Sequence, residues 1–99
     1  MGTTPSEFSW PALAIVIADA RRDGLDAVAD ALVKAVTAGS TSGEILGGVG
    51  QVLRIHRGVR ARLLPSAQVE WDAVLAEVHR AYPGSAVRDW LAGLPAKLR

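Results

Sequence analysis

Apolar residues recur three and four positions apart over most of the chain, and turn-forming residues separate the apolar stretches. This spacing places apolar side chains on one face of a helix. We therefore predict four to five helices joined by short connections. Glycine, proline, serine and threonine mark the predicted ends of these helices.

The first predicted helix is capped by Ser9 and ends before Gly24. The β-branched stretch Ala14–Ala18 within it could instead form a buried strand. We favour the helix, because the chain offers no clear partner strand. The second predicted helix covers about Leu25–Ala38, and Gly39 ends it.

The third predicted helix begins at a capping box. Thr41 and Glu44 have the required spacing, at which each side chain can accept a hydrogen bond from the backbone of the other residue. We expect this helix to run to about Leu64, because Pro65 follows. Its predicted core face consists of Ile45, Val49, Val52, Ile55, Val59 and Leu63.

Two further helices complete the predicted fold. Ser66 is expected to cap a fourth helix of about Ala67–Tyr82, and Ser85 a fifth that ends near Ala92. One face of the fourth helix carries the apolar residues Trp71, Val74, Leu75, Val78 and Tyr82, and Val87, Trp90, Leu91 and Leu94 of the fifth helix are predicted to point inward.

The chain has 99 residues, which fits one compact domain. We predict an all-α fold, a small bundle of four to five helices within residues 9–95. A flexible lead of residues 1–8 is expected before this domain. A frayed tail of residues 96–99 is expected after it.

Composition narrows the classes of function. The chain has no cysteine, which excludes disulfides, thiolate metal sites and a cysteine nucleophile. It also favours a reducing compartment such as the cytoplasm. The most apolar run, Trp10–Ala18, is about half as long as a membrane span, so we expect no membrane partner. Abundant alanine, a preference for arginine over lysine and the absence of asparagine are compatible with a GC-rich bacterial genome.

The third predicted helix has an unusual second face. Small residues line this face, with Arg54 in their middle: Gly43, Gly47, Gly50, Gly58 and Ala61. An interior glycine costs up to about 1 kcal/mol of helix stability relative to alanine, so a line of glycines needs a compensating close approach of another backbone. That backbone could belong to a helix of the same chain or to a second chain. Alternatively, the glycines turn residues 43–50 into a loop or a broken helix.

The same segment is basic, with no acid between Gln51 and Leu64: Arg54, Arg57, Arg60 and Arg62. One interpretation is a solvated face whose arginines pair with acids elsewhere, either within the chain or across a dimer. The candidate acids lie on the first two helices: Asp19, Asp23, Asp26 and Asp30. The other is an anion-binding surface for nucleic acid or an acidic protein. We favour pairing, because the net charge of the chain is only +1.

No motif in the chain predicts catalysis. The glycine-rich stretch at residues 47–50 lacks the Gly-Lys-Ser/Thr sequence of a phosphate-binding loop. The two histidines, His56 and His79, lie on different predicted helices and do not form a metal-binding pair. Residues 31–54 could form a helix-turn-helix, but three glycines would weaken its recognition helix. We therefore expect no enzymatic activity, cofactor, metal or small-molecule ligand.

The sequence as a whole predicts a small non-enzymatic interaction module of an adaptor, regulatory or toxin-neutralising type. It would bind a protein partner or associate with itself as a homodimer. The predicted contact positions are Gly47, Gly50, Arg54, Arg57, Gly58 and Arg60. The alternative function is nucleic-acid binding through the four arginines of the third helix.

Overall fold

The computed structural model describes residues 10–92, 94 and 95. The predicted lead of residues 1–8, the predicted cap Ser9 and the predicted tail of residues 96–99 lie outside the described residues. No helix in the described part of the chain combines the length and the apolar character needed to span a membrane.

The described residues form six helical segments and no strand, so the predicted all-α class is confirmed. Ala14–Ala18 is helical, and the strand alternative is wrong. In chain order the segments are α1 (Pro11–Arg22), α2 (Asp26–Ala38), α3 (Ser42–Ile55), a 3-10 helix (Arg57–Arg62), α4 (Pro65–Ala81) and α5 (Pro83–Ala92).

Local signals explain where α1 ends and where α3 begins. Gly24 follows α1 with a φ of 75°, a left-handed conformation that glycine adopts without strain. The Glu44 backbone N–H donates to Thr41 Oγ1 at 3.1 Å, as expected for the cap of α3. The Glu44 carboxylate accepts from the Ser40 N–H at 2.7 Å, one residue earlier than a capping box requires. The predicted start of α3 is therefore confirmed.

The predicted end of the third helix is wrong. Helix α3 stops at Ile55, and Arg57–Arg62 form a 3-10 helix in place of the predicted continuation to Leu64. None of the residues in this 3-10 helix is buried, so tertiary packing does not reward a longer α-helix there. The prediction for the core face of this helix is also wrong at Ile55, which is 65% exposed.

Two predicted serine caps are also wrong. Helix α4 begins directly at Pro65, whose fixed φ and missing N–H suit the first helical position, so Ser66 lies inside the first turn. Ser85 lies within α5, where its hydroxyl donates to the Tyr82 carbonyl oxygen at 2.7 Å.

Helices α1 to α4 form a closed bundle in which α1 and α3 each pack against both α2 and α4. Helix α5 lies outside this bundle, against α4 and α3. The predicted bundle of four to five helices is confirmed. The largest fully buried side chains at its centre are Trp71, Leu32, Leu53, Val16, Val49, Val74 and Val78.

Glycines bring α3 close to both of its neighbours. A Cβ atom added at Gly48 would lie 3.3 Å from the Ala35 side chain of α2. A Cβ atom added at Gly50 would lie only 2.5 Å from Val78 of α4. The glycine segment is thus helical and is covered by the same chain, so the loop interpretation is wrong.

A buried carboxylate joins α1 to the start of α4. Asp19 is 8% exposed and accepts hydrogen bonds from Arg22 Nε at 2.8 Å and from the Leu64 N–H at 3.0 Å. These two bonds, first that from Arg22 and then that from Leu64, hold the pKa of Asp19 below its usual value. Because Leu64 directly precedes α4, the carboxylate also fixes the direction from which the chain enters that helix.

Candidate functional site

Helix α5 is amphipathic, but its apolar face points away from the bundle. Val87, Trp90 and Leu91 are 59%, 65% and 41% exposed. Residues at i, i+3 and i+4 lie on one face of a helix, so these three side chains form a continuous surface, which we call the α5 apolar face. The sequence-based prediction that they point inward is wrong, whereas Leu94, just beyond α5, is partly buried.

Polar residues form the opposite, inward face of α5. Ser85 is buried, and the Asp89 side chain is only 16% exposed. Asp89 Oδ1 accepts from Arg54 Nε of α3 at 2.5 Å, and Asp89 Oδ2 lies 2.7 Å from His79 Nε2 of α4. Asp89 therefore joins α5 to two helices of the bundle at once, which explains why the polar face is turned inward.

A further hydrogen bond anchors the connection between α4 and α5. The Tyr82 hydroxyl donates to the Gly43 carbonyl oxygen at 2.6 Å. Its ring lies over Gly47, where an added Cβ atom would lie 3.4 Å from the Tyr82 hydroxyl oxygen. The small residues of α3 thus make room for an aromatic ring that sets the start of α5.

A groove of about 380 Å³ lies between α3 and α5, and we call it the α3–α5 groove. Its lining is mostly polar and includes two guanidinium groups, those of Arg54 and Arg88. Arg54 pairs with Asp89, whereas Arg88 forms no ion pair within the described part of the chain. The lining residues are Gly47, Gln51, Arg54, Val78, Tyr82, Ser85 and Arg88. An open polar groove beside an apolar surface can hold an extended side chain of a partner while apolar contacts supply most of the affinity.

The structure brings only two of the six predicted contact positions to the groove, Gly47 and Arg54. Gly50 is buried against Val78 and does not line the groove. The other three positions belong to the separate 3-10 helix: Arg57, Gly58 and Arg60.

The basic segment is largely neutralised within the chain. Arg54 pairs with Asp89, and Arg60 binds both carboxylate oxygens of Asp72, at 2.9 and 2.7 Å. The hydrogen bonds that Arg60 donates to the Asp72 carboxylate raise the pKa of Arg60. The ion pairs of the segment are Arg54–Asp89, Arg60–Asp72 and Arg62–Asp23. Ion pairing was thus the correct interpretation for these three, although only Asp23 was among the acids proposed from the sequence.

The remaining arginine of this segment is different. Arg57 donates to the Arg54 carbonyl oxygen at 3.2 Å and has no carboxylate partner within the described residues. It therefore keeps an exposed positive charge next to the last turn of α3.

Sequence reasoning missed the α5 apolar face and five groove residues, Gln51, Val78, Tyr82, Ser85 and Arg88. The apolar spacing of α5 was visible, but spacing alone does not say whether a face points inward or outward. The polar face of α5 carried a signal that could have indicated its inward orientation. Asp89 and Ser85 lie four residues apart, as two polar groups directed at one neighbour would.

No protein-family model, curated protein or solved structure matches this chain. Its function must therefore be inferred from the surfaces described above.

Proposed function

We propose that this chain is a small non-enzymatic module that binds a protein partner through the α5 apolar face. The observation that carries the proposal is the orientation of α5, with Asp89 inside and Val87, Trp90 and Leu91 outside. Contiguous apolar patches on a protein surface mark interaction sites. The patch contains Trp90, and tryptophan is among the residue types most enriched in the interface positions that dominate affinity.

The anchoring of α5 supports this proposal. Ion pairs and hydrogen bonds to Arg54, His79 and Gly43 hold the helix against the bundle through its polar face and through Tyr82. The apolar face is thus presented on a positioned helix before the partner arrives. A preorganised surface loses less conformational entropy on binding, which favours affinity.

The proposed binding surface differs from the one expected from the sequence, since it lies on α5. Of the predicted contact positions, only Gly47 and Arg54 line the adjoining α3–α5 groove. It fits an adaptor, a regulator or a toxin-neutralising protein. The cysteine-free sequence suits a bacterial cytoplasm.

Nucleic-acid binding is the less supported function. Three of the four arginines of the basic segment already pair with carboxylates of the chain, so few positive charges remain for phosphates. A gel shift at low salt tests this alternative. Retardation of DNA or RNA that disappears in the Arg57→Ala variant would favour it over protein binding.

Site-specific photocrosslinking in the native host tests the main proposal. A photoreactive amino acid is placed at Val87 on the α5 apolar face, and in a matched control at the exposed Thr37 near the end of α2. We expect one discrete protein adduct from position 87 and none from position 37. The adduct should disappear when Trp90→Ala is added, because the patch loses its largest apolar side chain.

The mass of the adduct identifies the kind of partner. Twice the mass of the chain indicates self-association, and any other discrete mass indicates a different protein. Identical adducts from both positions, or no adduct from position 87, would refute the proposed function.

A further inference from the structure

Arg88 lies at the boundary between the α5 apolar face and the α3–α5 groove. It follows Val87 in sequence and so lies about 100° around the helix from it, and its side chain lines the groove. A partner helix or strand that covers Val87 and Leu91 would therefore pass directly beside the Arg88 guanidinium.

The groove has an excess of one positive charge within the described part of the chain. Two guanidinium groups line it, those of Arg54 and Arg88, and only that of Arg54 is paired with a carboxylate. The Asp89 carboxylate is already bound by both Arg54 and His79. Arg88 therefore has no carboxylate within the described part of the chain to neutralise it.

The same charges disfavour a second copy of the chain as the occupant. In a two-fold dimer the same surface of each subunit meets itself, so both copies of Arg88 would flank one apolar contact. Asp89 is the only acid of α5, and it is turned inward and engaged. The interface would contain like charges without compensating carboxylates, which costs affinity.

We propose that the partner is an acidic amphipathic segment. Its apolar side chains cover the α5 apolar face, and one of its carboxylates enters the groove to bind Arg88, with the Gln51 side chain beside it. This inference rests on the proposed function and adds the charge of the partner to it. A guanidinium paired with a carboxylate in a partly desolvated groove gives specificity and speeds association.

Two labelled synthetic peptides of equal length and equal apolar content test the proposal. Both carry leucines at helical spacing, and the flanking positions are glutamate in one peptide and lysine in the other. Fluorescence anisotropy at about 50 mM salt, where screening is weak, gives the dissociation constant of each. We expect the acidic peptide to bind about tenfold more tightly than the basic one, and Trp90→Ala to abolish binding of both.

Charge reversal then assigns the preference to one residue. Arg88→Glu should invert the order of the two peptides. Lys34→Glu is the matched control, because it changes the net charge equally at an exposed lysine of α2 that forms no ion pair within the described residues. It should leave the preference for the acidic peptide in place.

The outcomes separate this inference from the proposed function. If the basic peptide binds as well as the acidic one, or if Arg88→Glu leaves the order unchanged, the acidic partner is refuted, while the photocrosslinking result decides the proposed function independently. If neither peptide binds, the acidic partner is also refuted. A dimer detected by light scattering and dissolved by Trp90→Ala would show that the occupant is a second copy.

Discussion

Val78 of α4 leaves no room for a side chain at Gly50 of α3, because a Cβ atom there would lie 2.5 Å from Val78 Cγ1. Val78 is itself fully buried and β-branched, so its side chain has few alternative rotamers. Gly50 thus sets how closely α3 and α4 approach, and its role is in packing within the chain.

We expect Gly50→Ala to destabilise the fold by about 1–3 kcal/mol, since overpacking exceeds the gain in helix propensity. Urea unfolding followed by circular dichroism measures this change. Adding Val78→Ala should recover part of the loss, because it removes the obstructing methyl groups. Gly47→Ala is the control. A Cβ atom added at Gly47 would lie 3.4 Å from the Tyr82 hydroxyl oxygen, an ordinary contact distance, so this substitution should leave the stability of the fold unchanged or raise it by up to about 1 kcal/mol.

A Gly50→Ala protein more stable than the native one would contradict the described packing.

The orientation of α5 can be tested without any partner. Trp90 is exposed, so Trp90→Ala should change the free energy of unfolding by no more than about 0.5 kcal/mol. Val74→Ala, a smaller truncation within the core, should cost about 1–3 kcal/mol by leaving a cavity. If Trp90→Ala proved the more costly of the two, α5 would have its apolar face turned inward.

Asp89 is expected to hold α5 against the bundle. In a double-mutant cycle, Arg54→Ala and Asp89→Ala should show a coupling energy of about 1–2 kcal/mol, because their contact is shielded from solvent. The exposed pair Arg80 and Glu77 should couple by only about 0.3–0.5 kcal/mol. Hydrogen exchange should also show faster exchange of α5 amides in Asp89→Ala, with α1 unaffected. Equal coupling in the two cycles would mean that Asp89 does not anchor the helix.

Acid should weaken the fold through Asp19. Its pKa is lowered in the folded chain by the hydrogen bonds from Arg22 and Leu64, so the unfolded chain binds a proton more readily than the folded chain does. The contribution of Asp19 is therefore fully present above its unfolded pKa of about 3.9 and is lost as the pH falls through the lower folded pKa.

The measurement is urea unfolding between neutral pH and about pH 3, a range that spans the unfolded pKa of Asp19. Asp19→Asn should be less stable than the native chain at neutral pH and should lose less stability on acidification. Asp26→Asn is the control, because Asp26 has only an exposed ion pair 3.6 Å from Arg21 and should behave like the native chain. Parallel pH curves for the native chain and Asp19→Asn would rule out this role.

The helices were largely predictable from the sequence, because the spacing of apolar residues and the turn-forming residues act over a few positions. The capped start of α3 depends on Thr41 and Glu44, which are neighbours in the chain, and the structure confirms it. The end of α3 was not predictable in the same way. Whether a helix continues past Ile55 depends on whether the next turns are buried against another element, and that is a tertiary property.

The candidate site also separates what the sequence predicts from what only tertiary contacts decide. The sequence by itself determined that Val87, Trp90 and Leu91 share one face of a helix and that Asp89 lies on the other. Only the tertiary structure decided which face points outward. Asp89 meets Arg54 and His79, which lie 35 and 10 residues earlier in the chain, and this pairing turns the polar face of α5 inward. Helical periodicity fixes angles within one element, whereas the direction of a face depends on contacts between elements that no local pattern contains.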